Sequence, residues 1–236
     1  MFWNLVRYEF KNVNKWYLAL YGAVLALSVI IGLQASAIKM LSSQDQESIM
    51  LVFQAFIFGG LIITMSISTL ILIIRRFKGS VYERQGYLTL TLPVSEHQII
   101  LAKLLGAFLW SLLSTAVFIL SIYIFLVTVD PQIIDVYMIR YFFGHYLDSI
   151  GLSLISYIFS TVAGILCIYL SISIGQLFNE YRTALAVVAY IVIQTILGFI
   201  TLNLRIDFDY NWVLSFEIFK DLILSVGFYL GTYYIL

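Results

Sequence analysis

The sequence predicts an all-α polytopic membrane protein: a helical bundle of six transmembrane helices, with an N-terminal amphipathic interfacial helix and a short cytoplasmic helix. Three observations carry that expectation. Of the 236 residues 62% are apolar and 11% charged, whereas a soluble domain charges about a quarter of its residues, so this chain cannot wet its own surface. The charges fall in clusters between apolar blocks. The blocks match the ~20 helical residues that cross a ~30 Å hydrocarbon core, where lipid offers no partner to an unpaired amide.

Taken in order, residues 1–15 place Phe2, Val6, Phe10 and Val13 on one helical face and Asn4, Arg7 and Lys11 on the other, the pattern of a helix lying in the inner headgroup layer. Five spans follow, at 16–38, 49–74, 104–129, 149–179 and 183–204, and none contains a charged residue or histidine. A sixth apolar run, 222–236, has only 15 residues, or ~22 Å of helix. Either its helix begins earlier or the natural chain continues; a trimmed cytoplasmic tail is the expectation. Asp130 followed by Pro131 forms a helix start, an N-cap with proline in the first turn, for an extracellular or interfacial helix over 130–148. Residues 203–220 form an extracellular segment before the last span. No apolar run with a cleavage site marks a removable signal peptide, and the whole chain, 1–236, is expected to be a single transmembrane domain.

Orientation follows from basic residues, which are retained on the cytoplasmic side. With the N-terminus inside, nine face the cytoplasm (Arg7, Lys11, Lys15, Arg75, Arg76, Lys78, Arg84, Lys103 and Arg182) against four outside, Lys39, Arg140, Arg205 and Lys220. The expected location is the plasma (inner) membrane, multi-pass.

The connection 75–98 is the largest cytoplasmic feature. Ser95 and Gln98 form a capping box, Val94 and Ile99 a hydrophobic staple, and Glu96 favours a helix N-terminus, so a helix starts at Ser95 and runs into the third span. Pro93 breaks the chain just before it. In 86–92, Leu88, Leu90 and Leu92 alternate as in a strand while Leu88 and Leu92 also stack at helical spacing. A lone strand would have no partner, which makes a short helix ending at Pro93 the economical reading.

The run 82–103, with Glu83, Gly86, Tyr87, Leu88, Leu92, Pro93, Ser95, Ile99 and Lys103, resembles the cytoplasmic element of type-2 ATP-binding-cassette (ABC) exporter permeases. The six-span layout and N-terminal helix extend the resemblance over the chain. It implies that the 86–92 helix docks into a groove on a separate ATPase subunit, touched by Glu83, Gly86, Tyr87, Leu88 and Leu92, with Trp3, Arg7 and Phe10 nearby. It implies also a second permease copy or paralogue as partner, ATP and Mg²⁺ held by the ATPase rather than by this chain, and a bacterial source. Thr89 stands where many members carry an acid.

The chain's own chemistry is sparse. It has no phosphate-cradling Gly-rich loop ending in Lys-Ser or Lys-Thr, no nucleophile elbow, no His-Glu-x-x-His helix and no spaced metal ligands, so no enzymatic activity and no cofactor are expected of it. His97 reads as a solvated first-turn residue, and His145 as part of an aromatic belt with Tyr141, Phe142, Phe143 and Tyr146. Charge-free spans argue against ion-coupled transport, which places its ion on charged groups in the membrane. The spans carry hydroxyls that either line a weakly polar path or let helices approach while bonding to backbone, the second being the simpler expectation. Gln54 and Gln194 are the candidate pathway residues, because an amide in lipid needs a partner or water. Gly227 and Gly231 have the spacing for close helix packing.

Two functions follow as expectations. One is the permease of an ABC exporter for an amphipathic or hydrophobic substrate, such as a peptide, lipid-like molecule or drug; the other is a non-transport accessory or immunity protein that binds a toxic peptide or scaffolds partners.

Overall fold

The computed structural model describes the backbone except at 1–2, 4–5, 8–14, 42–43, 83–94, 130–135 and 205–209, and within helices it omits the side chains of 15–16, 38–41, 44–51, 54–55, 80, 136–148 and 203–204. Six long helices carry the described chain: α1 (Lys15–Leu41), α2 (Gln44–Val81), α3 (Glu96–Val129), α4 (Val136–Gln176), α5 (Arg182–Leu204) and α6 (Tyr210–Ile235). Among the described residues there is no strand. Among the described residues five stretches are long and apolar enough to cross a membrane: Tyr17–Ala37, Phe56–Gly79, Glu96–Val129, Ser149–Gln176 and Arg182–Leu202.

Helix ends differ from the apolar runs for local reasons. α2 continues past the basic cluster at Arg75 and Arg76 because Ile73, Phe77 and Val81 recur four residues apart and are all buried. α3 begins at Glu96, with the Ser95 carbonyl accepting from the Gln98 and Ile99 amides, as the capping residues predict. α4 joins 136–148 to the fourth span in one helix of 41 residues, ~62 Å at ~1.5 Å per residue. The Asp130-Pro131 start lies outside the described residues. α6 begins at Tyr210, well before the apolar run, so residues 210–220 of the segment placed before the last span are continuous with it. Of residues 1–14 only Trp3, Val6 and Arg7 are described, all helical; Val6 is buried, Trp3 and Arg7 exposed.

The chain divides into two units. The first holds 1–11, 72–108 and 146–236, centred on α4. Its core joins Ile73, Phe77, Val81, Ala107, Leu166 and Tyr169, with Phe77 and Tyr169 stacked at 3.9 Å between ring centroids. Ser149 bonds Asn211 and Leu170 meets Gly231, so α4 and α6 run parallel. Gly175 meets Ala186 and Cys167 meets Gln194, so α5 runs back between them in sequence as an antiparallel return. The tight α4–α5 turn places Tyr181 at φ 55°, a left-handed conformation uncommon for a bulky residue; its carbonyl accepts from Leu185 and opens α5.

The second unit holds 12–71 and 109–145. Ser114 Oγ lies 2.7 Å from Tyr21 Oη and 2.9 Å from Thr69 Oγ1, tying three helices at one atom. Phe58 stacks on Phe125 at 5.1 Å, and Gly32 packs against Thr128 with no room for a Cβ. The order of these pairs makes α1 parallel to α3 and α2 antiparallel to α3. Within each unit, then, successive helices alternate in direction, as successive crossings of a bilayer must. Large apolar side chains are exposed in both units, Phe56 in the second and Phe199, Phe219 and Leu154 in the first.

Candidate functional site

Glu83, Gly86, Tyr87, Leu88 and Leu92, the residues expected to meet an ATPase, lie outside the described residues, as do Arg84, Thr89, Pro93 and Val94. Their flanks are described. On the N-terminal side, Tyr82 follows the buried Val81 and its hydroxyl donates to Ser173 Oγ at 2.9 Å, while its ring meets Phe77 edge-on. Burial pushes the Tyr82 hydroxyl pKa above its ordinary value, partly offset by the Ser173 bond. One turn earlier, Lys78 Nζ donates to Thr183 Oγ1 at 3.1 Å. On the C-terminal side, Ile99 and Ile100 are buried.

His97 stands exposed in the first turn of α3, where the sequence puts it, and has ring partners besides. Nδ1 lies 2.6 Å from Tyr229 Oη and the ring stacks on Tyr233 at 4.1 Å. No local pattern foretells this, because both tyrosines lie more than 130 residues away; only the parallel arrangement of α4 and α6 brings the end of the chain back to the start of α3. Lys78, Tyr82, His97 and the α4–α5 turn all gather at one end of the first unit, through contacts to Thr183, Ser173 and Tyr229. Ser149 and Ser153, bonded to Asn211 and Tyr210, mark the opposite end.

Of the two amides singled out, Gln54 lies in α2 with its side chain outside the described residues. Gln194 is described: Nε2 donates to Cys167 Sγ at 3.7 Å and the residue lines a cavity of about 390 Å³ inside the first unit. Three helices face this cavity at helical spacing. α4 contributes Ser160, Gly164 and Cys167; α5 contributes Gln194, Gly198 and Thr201; α6 contributes Glu217, Asp221, Leu224 and Phe228. Asp221 is buried, its carboxylate 3.5 Å from Lys220 Nζ and within hydrogen-bonding reach of Ser160. Lys220 Nζ also donates to Thr201 Oγ1 at 3.4 Å.

The sequence places 203–220 in an extracellular segment and leaves open that the last helix begins before 222; α6, starting at Tyr210, carries Glu217, Lys220 and Asp221 within one helix and turns Asp221 inward. The carboxylate tolerates burial because an ammonium and a hydroxyl lie against it. Sequence hydropathy missed the site for the same reason: three charges in five residues, at 217, 220 and 221, look like a solvated stretch.

Most span hydroxyls have a simpler role. Thr64, Ser66, Ser68, Thr161, Ser171 and Ser173 each bond the carbonyl four residues back on their own helix. Among the described residues no three metal-ligating side chains come together.

Long apolar helices, alternating in direction and bearing apolar side chains outward, define a multi-pass helical membrane protein. Beyond that class, the chain matches no protein-family model, no curated protein and no solved structure.

Proposed function

We propose that this chain is the membrane-spanning permease subunit of an ATP-driven ABC exporter, moving an amphipathic or hydrophobic substrate outward. ATP and Mg²⁺ belong to a separate cytoplasmic ATPase subunit, and the permease works with a second copy or paralogue in a bacterial inner membrane, N-terminus inside. The resemblance of 82–103 to the family's coupling element is the starting point. The observation that supports it most is the fixing of both flanks of 83–94. Tyr82 is bonded to α4 and His97 to α6, so a push on the intervening segment would pass directly into the helices that carry the first unit's core. A lever needs such rigid attachment; a passive loop does not. The basic residues Arg75, Arg76, Lys78 and Arg182 lie toward the same end, which supports a cytoplasmic placement.

The test is co-purification with a candidate ATPase encoded beside this gene. Wild-type permease is expected to retain it, and Leu88→Arg to lose it without a change in the permease's own melting temperature. Failure to recruit any ATPase, together with export indifferent to Leu88→Arg, would refute the reading. Protection of the host that survives a catalytically dead ATPase would instead favour the accessory or immunity function.

A further inference from the structure

Antiparallel packing of α5 against α4 and α6 gives the cavity between them two unlike ends. At one, Lys220 lies against Asp221 and bonds Thr201, and Ser160 is within reach of Asp221. Among the described lining residues, Gly164, Cys167, Gln194, Leu224 and Phe228 form the other end, and none of these carries a charge. Along α6 this end reaches from Asp221 to Phe228, ~10 Å of helix. The whole cavity, about 390 Å³, falls in the range of small-molecule sites, ~300–1,000 Å³.

Gln194 supplies the polar feature of the uncharged end. It stands midway along α5, where an amide has lipid or a partner and no bulk water to bond. Its amide meets the Cys167 thiol at 3.7 Å and is within reach of the Tyr190 hydroxyl. A thiol is a weak partner, and an amide has two donors and an acceptor to satisfy. Gln194 and Gly198 are exposed while Cys167 on α4 is buried, so the cavity opens past α5 with the amide at its mouth.

The geometry points to a binding site for an uncharged amphipathic molecule with a short apolar chain and a hydroxyl, the chain against Leu224 and Phe228 and the hydroxyl on the Gln194 amide. An ion of either sign seated at this end would lose water without meeting a counter-charge, which is costly in an apolar interior. The ionic groups at the far end already have partners. As the identity of exported cargo this assignment rests on the exporter reading; as a binding site it does not.

A Cβ added at Gly164, on the α4 wall, meets nothing within 4 Å, so a leucine there fills the cavity instead of pressing on a neighbour.

The experiment irradiates purified permease in nanodiscs, with no ATPase, in the presence of octanol bearing a diazirine on its chain, and maps the adducts by peptide mass spectrometry. Adducts are expected on Cys167, Leu224 or Phe228 well above the level on the exposed Leu154 and Ile223. Unlabelled octanol should displace them at least fivefold better than octylammonium, octanoate or octane, compared at equal concentration in the bilayer. Gly164→Leu should lower the cavity adducts about tenfold, and Gln194→Leu should weaken octanol about fivefold, the loss of one hydrogen bond. Should Gly164→Leu melt early, Gln194→Leu decides. Adducts spread evenly over cavity and exposed residues, displacement by octane or either ion as strong as by octanol, or octanol untouched by Gln194→Leu overturns the proposal. A permease labelled in the cavity that recruits no ATPase sinks the exporter reading alone; one that recruits an ATPase and is not labelled there sinks this site alone.

Discussion

The Tyr82 hydroxyl donates to Ser173 Oγ at 2.9 Å, joining the last residue described before the 83–94 connection to the C-terminal turn of the first unit's central helix. Ser173 Oγ in turn donates to the Tyr169 carbonyl at 3.0 Å, and Tyr169 stacks on Phe77, one turn before Val81. The end of α2 is thus held by a closed set of contacts and not by chain continuity alone.

Tyr82→Phe removes one buried hydrogen bond while leaving Ser173 with its carbonyl partner. The expected cost is about 1 kcal/mol, or a fall in Tm of ~2–4 °C for a chain of this size. Tyr82→Ala, which also empties the ring's place against Phe77, should cost about 3 kcal/mol or more. Thermal unfolding in detergent, followed by light scattering and tryptophan fluorescence, checks both; equal effects from the two variants would count against the packing described.

The glycines separate close approach from open space. Gly175→Ala brings a Cβ within 2.7 Å of Ala186 Cβ and 2.5 Å of the Arg182 carbonyl, and overpacking of that kind costs about 1–3 kcal/mol. Gly227→Ala meets nothing within 4 Å, so relief of glycine's backbone entropy leaves it neutral or stabilised by up to about 1 kcal/mol. Gly231→Ala meets only the flexible end of Leu170 and should fall between them. The same unfolding measurement ranks the three.

Hydroxyls divide in the same way. Ser114→Ala takes the shared partner from Tyr21 and leaves a buried phenol to find another, an expected loss of about 1–3 kcal/mol. Thr64→Val removes only a bond to its own helix at Gly60 and should stay within about 0.5 kcal/mol of wild type. Denaturation midpoints of the two variants give the comparison.

Topology can be read by labelling. In a Cys167→Ala background, which leaves no native thiol, Arg182→Cys and Asn211→Cys stand at opposite ends of the α5–α6 return. α5 has 23 residues, ~35 Å of helix. A membrane-impermeant maleimide is expected to label Asn211→Cys in intact cells and Arg182→Cys only after lysis. Labelling of both from one side would contradict the arrangement of spans.

Much of the architecture was legible because membrane helices are written in runs. The stretches of 16–38, 49–74, 104–129, 149–179 and 183–204 lie within α1 to α5, apart from the turn residues 177–179. The start of α3 was equally plain, since capping is a local code and Ser95 with Gln98 spell it out. The start of α6 was not: Glu217, Lys220 and Asp221 lower the hydropathy that would announce a helix, and only the cavity between three helices reveals what the charges face. Gln194 was singled out for the cost of an amide in lipid, and it does line that cavity, but nothing about its position named Cys167 or Asp221 as company.

What the chain alone determined is its class, because the need of every backbone amide for a partner in lipid turns long apolar runs into helices whatever surrounds them. Tertiary structure decided which faces of those helices meet. It paired Tyr82 with Ser173, His97 with Tyr229 and Asp221 with Ser160, residues separated by some sixty positions or more, and it did so through shape and hydrogen bonding between helices that share no periodic signal from which their partners could be read.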